Sequence, residues 1–543
     1  MSSTVWAPPN PSGGIRRGST ASGAPPLFYV DGSSGWTQTS LQSGDMPDIT
    51  PALFLPIREL FGRFHRRREA LSDRQEEREG SYRRLPDPWG QDSRWYPHDF
   101  VPHQHNEIYP LADGAAYFAD LVEQLATAHQ RVTIAAWSCT PLMPLLRGER
   151  ERESVLAEVL NRVSQQAEVY LLLWAGAPKL FHPETKDVEE VQRILGRRAP
   201  LVHCELDRRA TFSHDHHQKA VTIDGRVAYV GGMDLTTYLG DRWDTQAHPL
   251  RYGPNWHDVQ LRLRGEVVSD VERNFCQRWN ASTGGELEPL PTPSPDPNWN
   301  TPAQVIRTVP AGFYPFATDG IFGIRHAILA AIRQARQYIY LENQYIWAPE
   351  VVDALIEAMN RPHDDPFRVV VVLPANAYTG KYDNDQHVEK LRQADAGRAM
   401  FETYSLWAAG PGSGLTGYHY DATYVHAKVC LIDDQWLSIG SANLNSRGLA
   451  TDTEMCVQSI APDIARDLRI SLWAEHLGCE PEEIARLAPA EVIDGLWRTT
   501  ARQVARGHHA GAEPPRGQIE RYDVSRSVRG RTLDYVQEMT LEH

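Results

Sequence analysis

A chain of 543 residues exceeds the size at which one hydrophobic core keeps growing, so two core-forming units are expected. Hydrophobic residues make up 41% and charged residues 23%, and no run reaches roughly 18 apolar residues, which excludes a spanning helix. The formal charge of -15 argues against a nucleic-acid partner, because gripping a phosphate backbone depends on Lys and Arg displacing counterions.

Residues 1–50 are rich in Pro, Gly, Ser and Thr and cannot bury enough apolar surface to offset chain entropy, so disorder is expected there. They also lack the charged start and apolar stretch of a secretory signal, so a cytoplasmic chain is expected. Over residues 51–106 comes a basic amphipathic helix and then a linker: Ile57, Leu60, Phe61 and Phe64 fall at helical spacing among Arg58, Arg63, Arg66, Arg67 and Arg68. Residues 53–68 have the character of a peripheral contact with an anionic membrane, and more readily that of a helix docked on the body with a solvated Arg face.

From residue 107 helices and strands alternate. Gly114–Ala128 has helical periodicity, and RVTIAAW and EVYLLLW are strand-length runs separated by the helical VLAEVLNRVSQQA. The order recurs after residue 303: helix IRHAILAAIRQA, strand QYIYLENQYIW, helix VVDALIEAMN and strand FRVVVVLP. The fold class is therefore α/β in two similar lobes, 107–286 and 303–483, divided by the Pro-rich 287–302; residues 484–543 form a polar tail with no reading. The scattered Cys139, Cys204, Cys276, Cys430, Cys456 and Cys479 read as free thiols.

Each lobe carries one His-x-Lys-x4-Asp: His217, Lys219 and Asp224 in the first, His426, Lys428 and Asp433 in the second. Six residues further on stand Gly231, Gly232 and Asp234 in one copy and Gly440, Ser441 and Asn443 in the other. In extended chain, residues two apart share a face, so each histidine lies beside its lysine. Two lysines suit the charge that grows on a phosphodiester's oxygens during substitution at phosphorus. Two histidines divide the remaining work, one attacking phosphorus and the other protonating the departing alcohol. Asp224 and Asp433 belong to the motif, but each sits where a hairpin turns, at Asp224-Gly225 and Asp433-Asp434, which gives them an equal claim to a structural role. His214, Asp215 and His216 crowd against His217; alternation turns His216 to the opposite face and the second copy has no extra histidine, so no metal is expected there.

These paired motifs resemble the phospholipase D superfamily. The likeness extends to YIYLENQYIW (338–347), RWDT (242–245), NWHDVQLRLRG (255–265), NFCQRWN (274–280), DTE (452–454) and LRISLWAEHLG (468–478), which look like blocks of eukaryotic-type members and their bacterial relatives. The resemblance implies two pseudo-symmetric α-β-α sandwich lobes with one active site at their interface, and no cofactor. It implies His217 as nucleophile, His426 as general acid and later base, Lys219 and Lys428 on the phosphate, and Ser441 and Asn443 aiding them. Asp244 and Glu454 occupy the positions of the acids that orient the histidines, while Trp256, His257 and Asp258 either flank the site or form a buried structural cluster. The implied reaction is hydrolysis of glycerophospholipids to phosphatidic acid and head group by a monomer, through a phosphohistidine. A cardiolipin-synthase-like transfer to an alcohol would use the same intermediate, and a nuclease is the third alternative.

Overall fold

The computed structural model describes residues 95–524 apart from 178–182, 210–213, 252 and 413–416. The disorder expected over residues 1–50 and the amphipathic helix expected at 53–68 lie outside the described residues.

The first lobe comprises β1 (His103–Ala112), β2 (Arg131–Ala136), β3 (Glu168–Trp174), β4 (Val202–Asp207), β5 (Ala220–Ile223), β6 (Val227–Gly231), β7 (Trp256–His257) and β8 (Val259–Gly265). Its sheet runs β4-β3-β2-β5-β6-β8-β1, parallel among β2, β3 and β4 and antiparallel elsewhere. The second comprises β9 (Thr301–Val309), β10 (Ile321–Phe322), β11 (Tyr338–Glu342), β12 (Arg368–Val372), β13 (Phe401–Pro411), β14 (Tyr418–Val425), β15 (Val429–Ile432), β16 (Trp436–Gly440), β17 (Glu454–Ser459) and β18 (Ile519–Arg521). Its order, β13-β12-β11-β15-β16-β17-β9, repeats the first strand for strand and sense for sense. Antiparallel pairing of β1 with β9, shifted between His103 and Asn106, joins the two sheets.

Helices lead into and connect the parallel strands, as a parallel connection requires. Asp113–Leu125, Leu156–Val163 and Thr185–Arg198 cover the first sheet, and Gly323–Gln334, Pro349–Asn360 and Lys381–Asp395 the second. The opposite faces of the two sheets share one core, in which Ala228, Val230, Leu261 and Leu263 meet Leu437, Ile439, Met455 and Val457. Strands buried on both faces cannot alternate polar with apolar, which explains the unbroken YLLLW and VVVV. Each such Leu or Ile contributes roughly 1.5–3 kcal/mol of burial, so the shared core binds the lobes into one body.

Both motif hairpins turn with positive φ: Asp224 at 53° and Gly225 at 64°, Asp433 at 57° and Asp434 at 51°. That is the turn whose twist matches paired strands and which Asp and Gly tolerate. The second lobe does not end at residue 483. Val492, Ile493, Trp497, Ala501 and Ile519 enter the shared core, and β18 pairs with β13. Few but large apolar residues carry that anchoring, which a periodicity count passes over. All six cysteines are unpaired, and no helix among the described residues is long and apolar enough to cross a membrane.

Candidate active site

Each motif histidine stands on the extended segment leading into its hairpin, and each segment is stitched to the other lobe. His217 donates its backbone N–H to Thr453 O at 2.9 Å, and Thr453 returns one to Asp215 O at 2.9 Å. His426 donates to His257 O at 2.8 Å, extending the parallel pairing of β14 with β7. The rings follow the same crossing: His217 Nδ1 donates to Glu454 Oε1 at 2.8 Å, and His426 Nδ1 to Asp258 Oδ2 at 2.7 Å. The side chains are 14% and 11% exposed.

Lys219 and Lys428 each donate from Nζ to the carbonyl of their own motif histidine. Both ammonium charges act on both imidazoles, and His217 acts on His426, so the four side chains form one electrostatic unit. Burial first, and the two lysines next, hold both imidazoles well below their ordinary value and therefore neutral. Burial likewise raises Glu454 well above the carboxylate range and Asp258 to about 6. It pulls Lys428 down to about 7. Lys219 has Asp234 Oδ2 at 3.3 Å, whereas the equivalent residue in the second lobe, Asn443, is neutral. Such a site favours a ligand that brings negative charge to two buried lysines.

Four expected roles fall differently. Asp244 does not touch a motif histidine; its carboxylate accepts from His248 Nδ1 (3.1 Å), Asn255 Nδ2 (2.9 Å) and Trp256 N (3.0 Å), closing the loop ahead of β8. Asp258, fourteen positions further along the chain, takes the orienting role. Asp224 accepts the N–H groups of His129, Gln130 and Arg131, and Asp433 those of Arg336, Gln337 and Tyr338. Both lie past the far ends of β5 and β15 from the histidines, so they are turn clamps rather than reacting groups. Ser441, fully buried, donates from Oγ to Glu454 Oε2 and accepts from Met455 N at 3.0 Å, so it steadies the carboxylate. In the first lobe its counterpart is Gly232, where a Cβ would fall 2.2 Å from Asp258 Oδ1.

Asn443 is buried with Oδ1 lacking a hydrogen-bond partner. His216 turns from the site to Asp207 (3.0 Å) and Thr453 Oγ1 (2.7 Å), and His214 to Thr451 O (2.9 Å). The 214–217 histidines thus face different partners. Aromatic rings wall both motifs: Trp137 stands edge-on to His217 at 6.3 Å with Lys219 Nζ 5.9 Å from its ring centre, and Trp256 lies 5.1 Å from His426. From Trp256 a stack runs outward through Tyr424 (4.7 Å) to Tyr378 (4.5 Å), which is 40% exposed beside Leu239 at 45%.

The chain is similar to phospholipase D alpha 2 of Oryza sativa subsp. japonica, 24% identical over 70% of this chain and 66% of that protein. It is also similar to phospholipase D alpha 1 of Brassica oleracea var. capitata, 26% identical over 74% and 68%. It thus spans about two thirds of the length of these relatives. Among solved structures it is similar to a phosphatidylserine synthase of Haemophilus influenzae Rd KW20, with a TM-score of 0.46 and 13% identity over 75% of this chain and 96% of that one. The family model described as "Cardiolipin synthase, PLD-like domain" matches residues 328–474, the stretch that holds the second motif. With two intact motifs in two like lobes, and these relatives in sequence, the chain belongs to the phospholipase D superfamily.

Proposed function

We propose that this protein is a phospholipase D, a phosphodiesterase that hydrolyses glycerophospholipids to phosphatidic acid and free head group. The observation that carries the reading is the crossed pair of imidazoles, each held at Nδ1 by a carboxylate of the opposite lobe, with both lysines acting on both rings. His217 Nε2 attacks phosphorus and forms a P–N bond while the O–P bond to the head group breaks. His426, which takes up a proton at Nε2 as the anionic diester settles against the two lysines, gives it to the departing oxygen. Water then loses a proton to His426, its oxygen bonds to phosphorus, and the P–N bond breaks to restore His217. Asp258, nearer ionisation than Glu454, suits the ring that must carry positive charge. Exposed Tyr378 and Leu239, at the outer end of the buried stack that begins at Trp256 beside His426, support a lipid, since they place apolar surface near the reacting centre.

The test is turnover on vesicles of phosphatidylcholine and other glycerophospholipids, with and without ethanol. Release of head group by the wild type, lost in both His217→Ala and His426→Ala, supports the reading; turnover surviving in either variant overturns the shared site. Phosphatidyl transfer is the second reading, favoured by the name of the matching family model. Product made only when an alcohol acceptor is supplied would establish it instead.

A further inference from the structure

Behind Asp258 lies a second cluster that the phosphodiesterase chemistry does not use. Asp113 begins the helix that leads into β2, His248 lies in the loop ahead of β7, His257 is in β7, and Glu475 is in the helix Pro462–Leu477. All four side chains are buried. His257 Nδ1 lies 3.0 Å from Asp113 Oδ1 and 3.2 Å from Glu475 Oε1; His248 Nε2 lies 3.4 Å from Glu475 Oε1 and 3.7 Å from Asp113 Oδ2. Among the described residues Asp113 Oδ2 has no hydrogen-bond partner, and Glu475 meets both imidazoles in ion-pair contacts at 3.2 and 3.4 Å.

We propose that Asp113, His248, His257 and Glu475 bind one divalent transition cation of the zinc type, as a structural centre that fixes the loop bearing Asp258. One donor atom from each of the four lies within 4.8 Å of every other, and His257 Nδ1 and His248 Nε2 stand 3.2 and 3.4 Å from the same Glu475 Oε1, close to the edge of about 3.3–3.4 Å of a tetrahedron with bonds near 2.0–2.1 Å. Each imidazole has its other nitrogen committed to a carboxylate, His248 Nδ1 to Asp244 Oδ2 (3.1 Å) and His257 Nε2 to Glu342 Oε2 (2.9 Å). That arrangement turns His257 Nδ1 and His248 Nε2 toward the carboxylates of Asp113 and Glu475, where a metal would stand in place of the shared protons, as it does between carboxylate–histidine pairs around zinc. Glu342 is braced in turn by His476 Nε2 at 2.8 Å. Four carboxylates, counting Asp244 and Glu342, face three imidazoles and Arg251, which lies 3.5 Å from Asp244; with the two ligating imidazoles neutral, as a metal requires, a dication offsets much of the remaining negative charge in a buried place. Two nitrogen and two oxygen ligands suit zinc better than magnesium or calcium, which favour oxygen alone.

The consequence for the active site is positional. Asp113 N donates to Asp258 O at 2.8 Å, and Asp258 N donates to Asp113 Oδ1 at 3.3 Å. A cation on Asp113 and His257 therefore pins the backbone of Asp258, the residue that holds His426.

Untagged full-length protein, stripped with a chelator and dialysed against Zn2+ alone, is expected to retain roughly one metal per chain and to melt several degrees higher than the stripped form. Cobalt in place of zinc should give the visible bands of a four-coordinate N/O site. His248→Asn and Glu475→Gln should each lose the metal at least tenfold more readily. Wild-type protein that retains no stoichiometric metal and shows no cobalt spectrum overturns the proposal. Undiminished uptake in a folded variant also overturns it. Where a variant does not fold, the wild-type cobalt spectrum decides alone.

Discussion

Glu454, first residue of β17 in the second lobe, accepts a 2.8 Å hydrogen bond from Nδ1 of His217 in the first, and its other carboxylate oxygen accepts one from Ser441 of its own lobe. The second histidine repeats the relation in reverse through Asp258. Each imidazole thus takes its tautomer from across the lobe interface, with Nε2 left to meet phosphorus or a proton.

Replacing either acid by its amide keeps the shape but disturbs the acceptor that fixes the imidazole's tautomer and, at Asp258, removes the charge that supports an imidazolium. Glu454→Gln and Asp258→Asn are expected to lower kcat by ~10²–10⁴-fold with the melting temperature little changed. Asp244→Asn should act differently: it loosens the His248–Trp256 loop, so the melting temperature falls before the pH profile moves. Steady-state kinetics beside calorimetry of the three variants separates the two behaviours.

Lys428 sets the alkaline limit. With its ammonium pulled to about 7 by burial, kcat/KM should fall as pH rises past neutrality, while the depressed histidines keep the acid side level below their ordinary 6.5. Lys428→Arg, wherever it turns over, should shift the alkaline limb upward. The same group opposes folding when charged: the unfolded chain holds its proton up to 10.5, so stability attributable to Lys428 rises between about pH 7 and 10.5. In Lys428→Met, denaturant midpoints should lose that rise.

The Gly232 and Ser441 difference between lobes is steric. Gly232→Ser places a Cβ where the Asp258 carboxylate now lies, so His426 should lose its orienting group and activity should drop to near the Asp258→Asn level. Ser441→Ala removes one bond to Glu454, about 1–1.5 kcal/mol and so roughly tenfold in rate. Activities within a factor of two of wild type in both would contradict this account.

The motif aspartates should behave as stability residues. Asp433 takes three backbone N–H groups of the segment entering β11, and its loss leaves them without their acceptor. Asp433→Ala and Asp224→Ala are expected to cost about 1–3 kcal/mol in urea unfolding, with kcat per folded molecule retained.

Much of this was legible in the residues themselves. The duplicated motif, the Asp-Gly and Asp-Asp hairpins and the unbroken VYLLLW and VVVV runs follow from period and turn chemistry, which are local. Asp258 was not, because a residue's distance along the chain says nothing about contacts across an interface, and Asp244 stands nearer His217 in sequence. A signal did exist: HD precedes VQLRLRG as DTE opens EMCVQS, and β8 and β17 are equivalent strands of the repeat. Ser441 was misread for a related reason, since a hydroxyl beside a site is drawn to the phosphate on paper and to a buried carboxylate in the fold. The expected run through YIYLENQYIW also stops early: the strand ends at Glu342, which is taken by His257 and His476, and Asn343 turns to hold Tyr345 N and Leu444 N.

Crossing the carboxylates between lobes ties the inheritance of the two halves together. An ancestor with one lobe and one motif could assemble this centre only as a symmetric pair of identical chains, with the dyad passing through the reacting phosphorus. Fusing two copies into one polypeptide releases that symmetry, and glycine against serine, aspartate against asparagine at matching positions are its relaxation. Neither half can then be discarded, because each would carry away the support of the other's histidine.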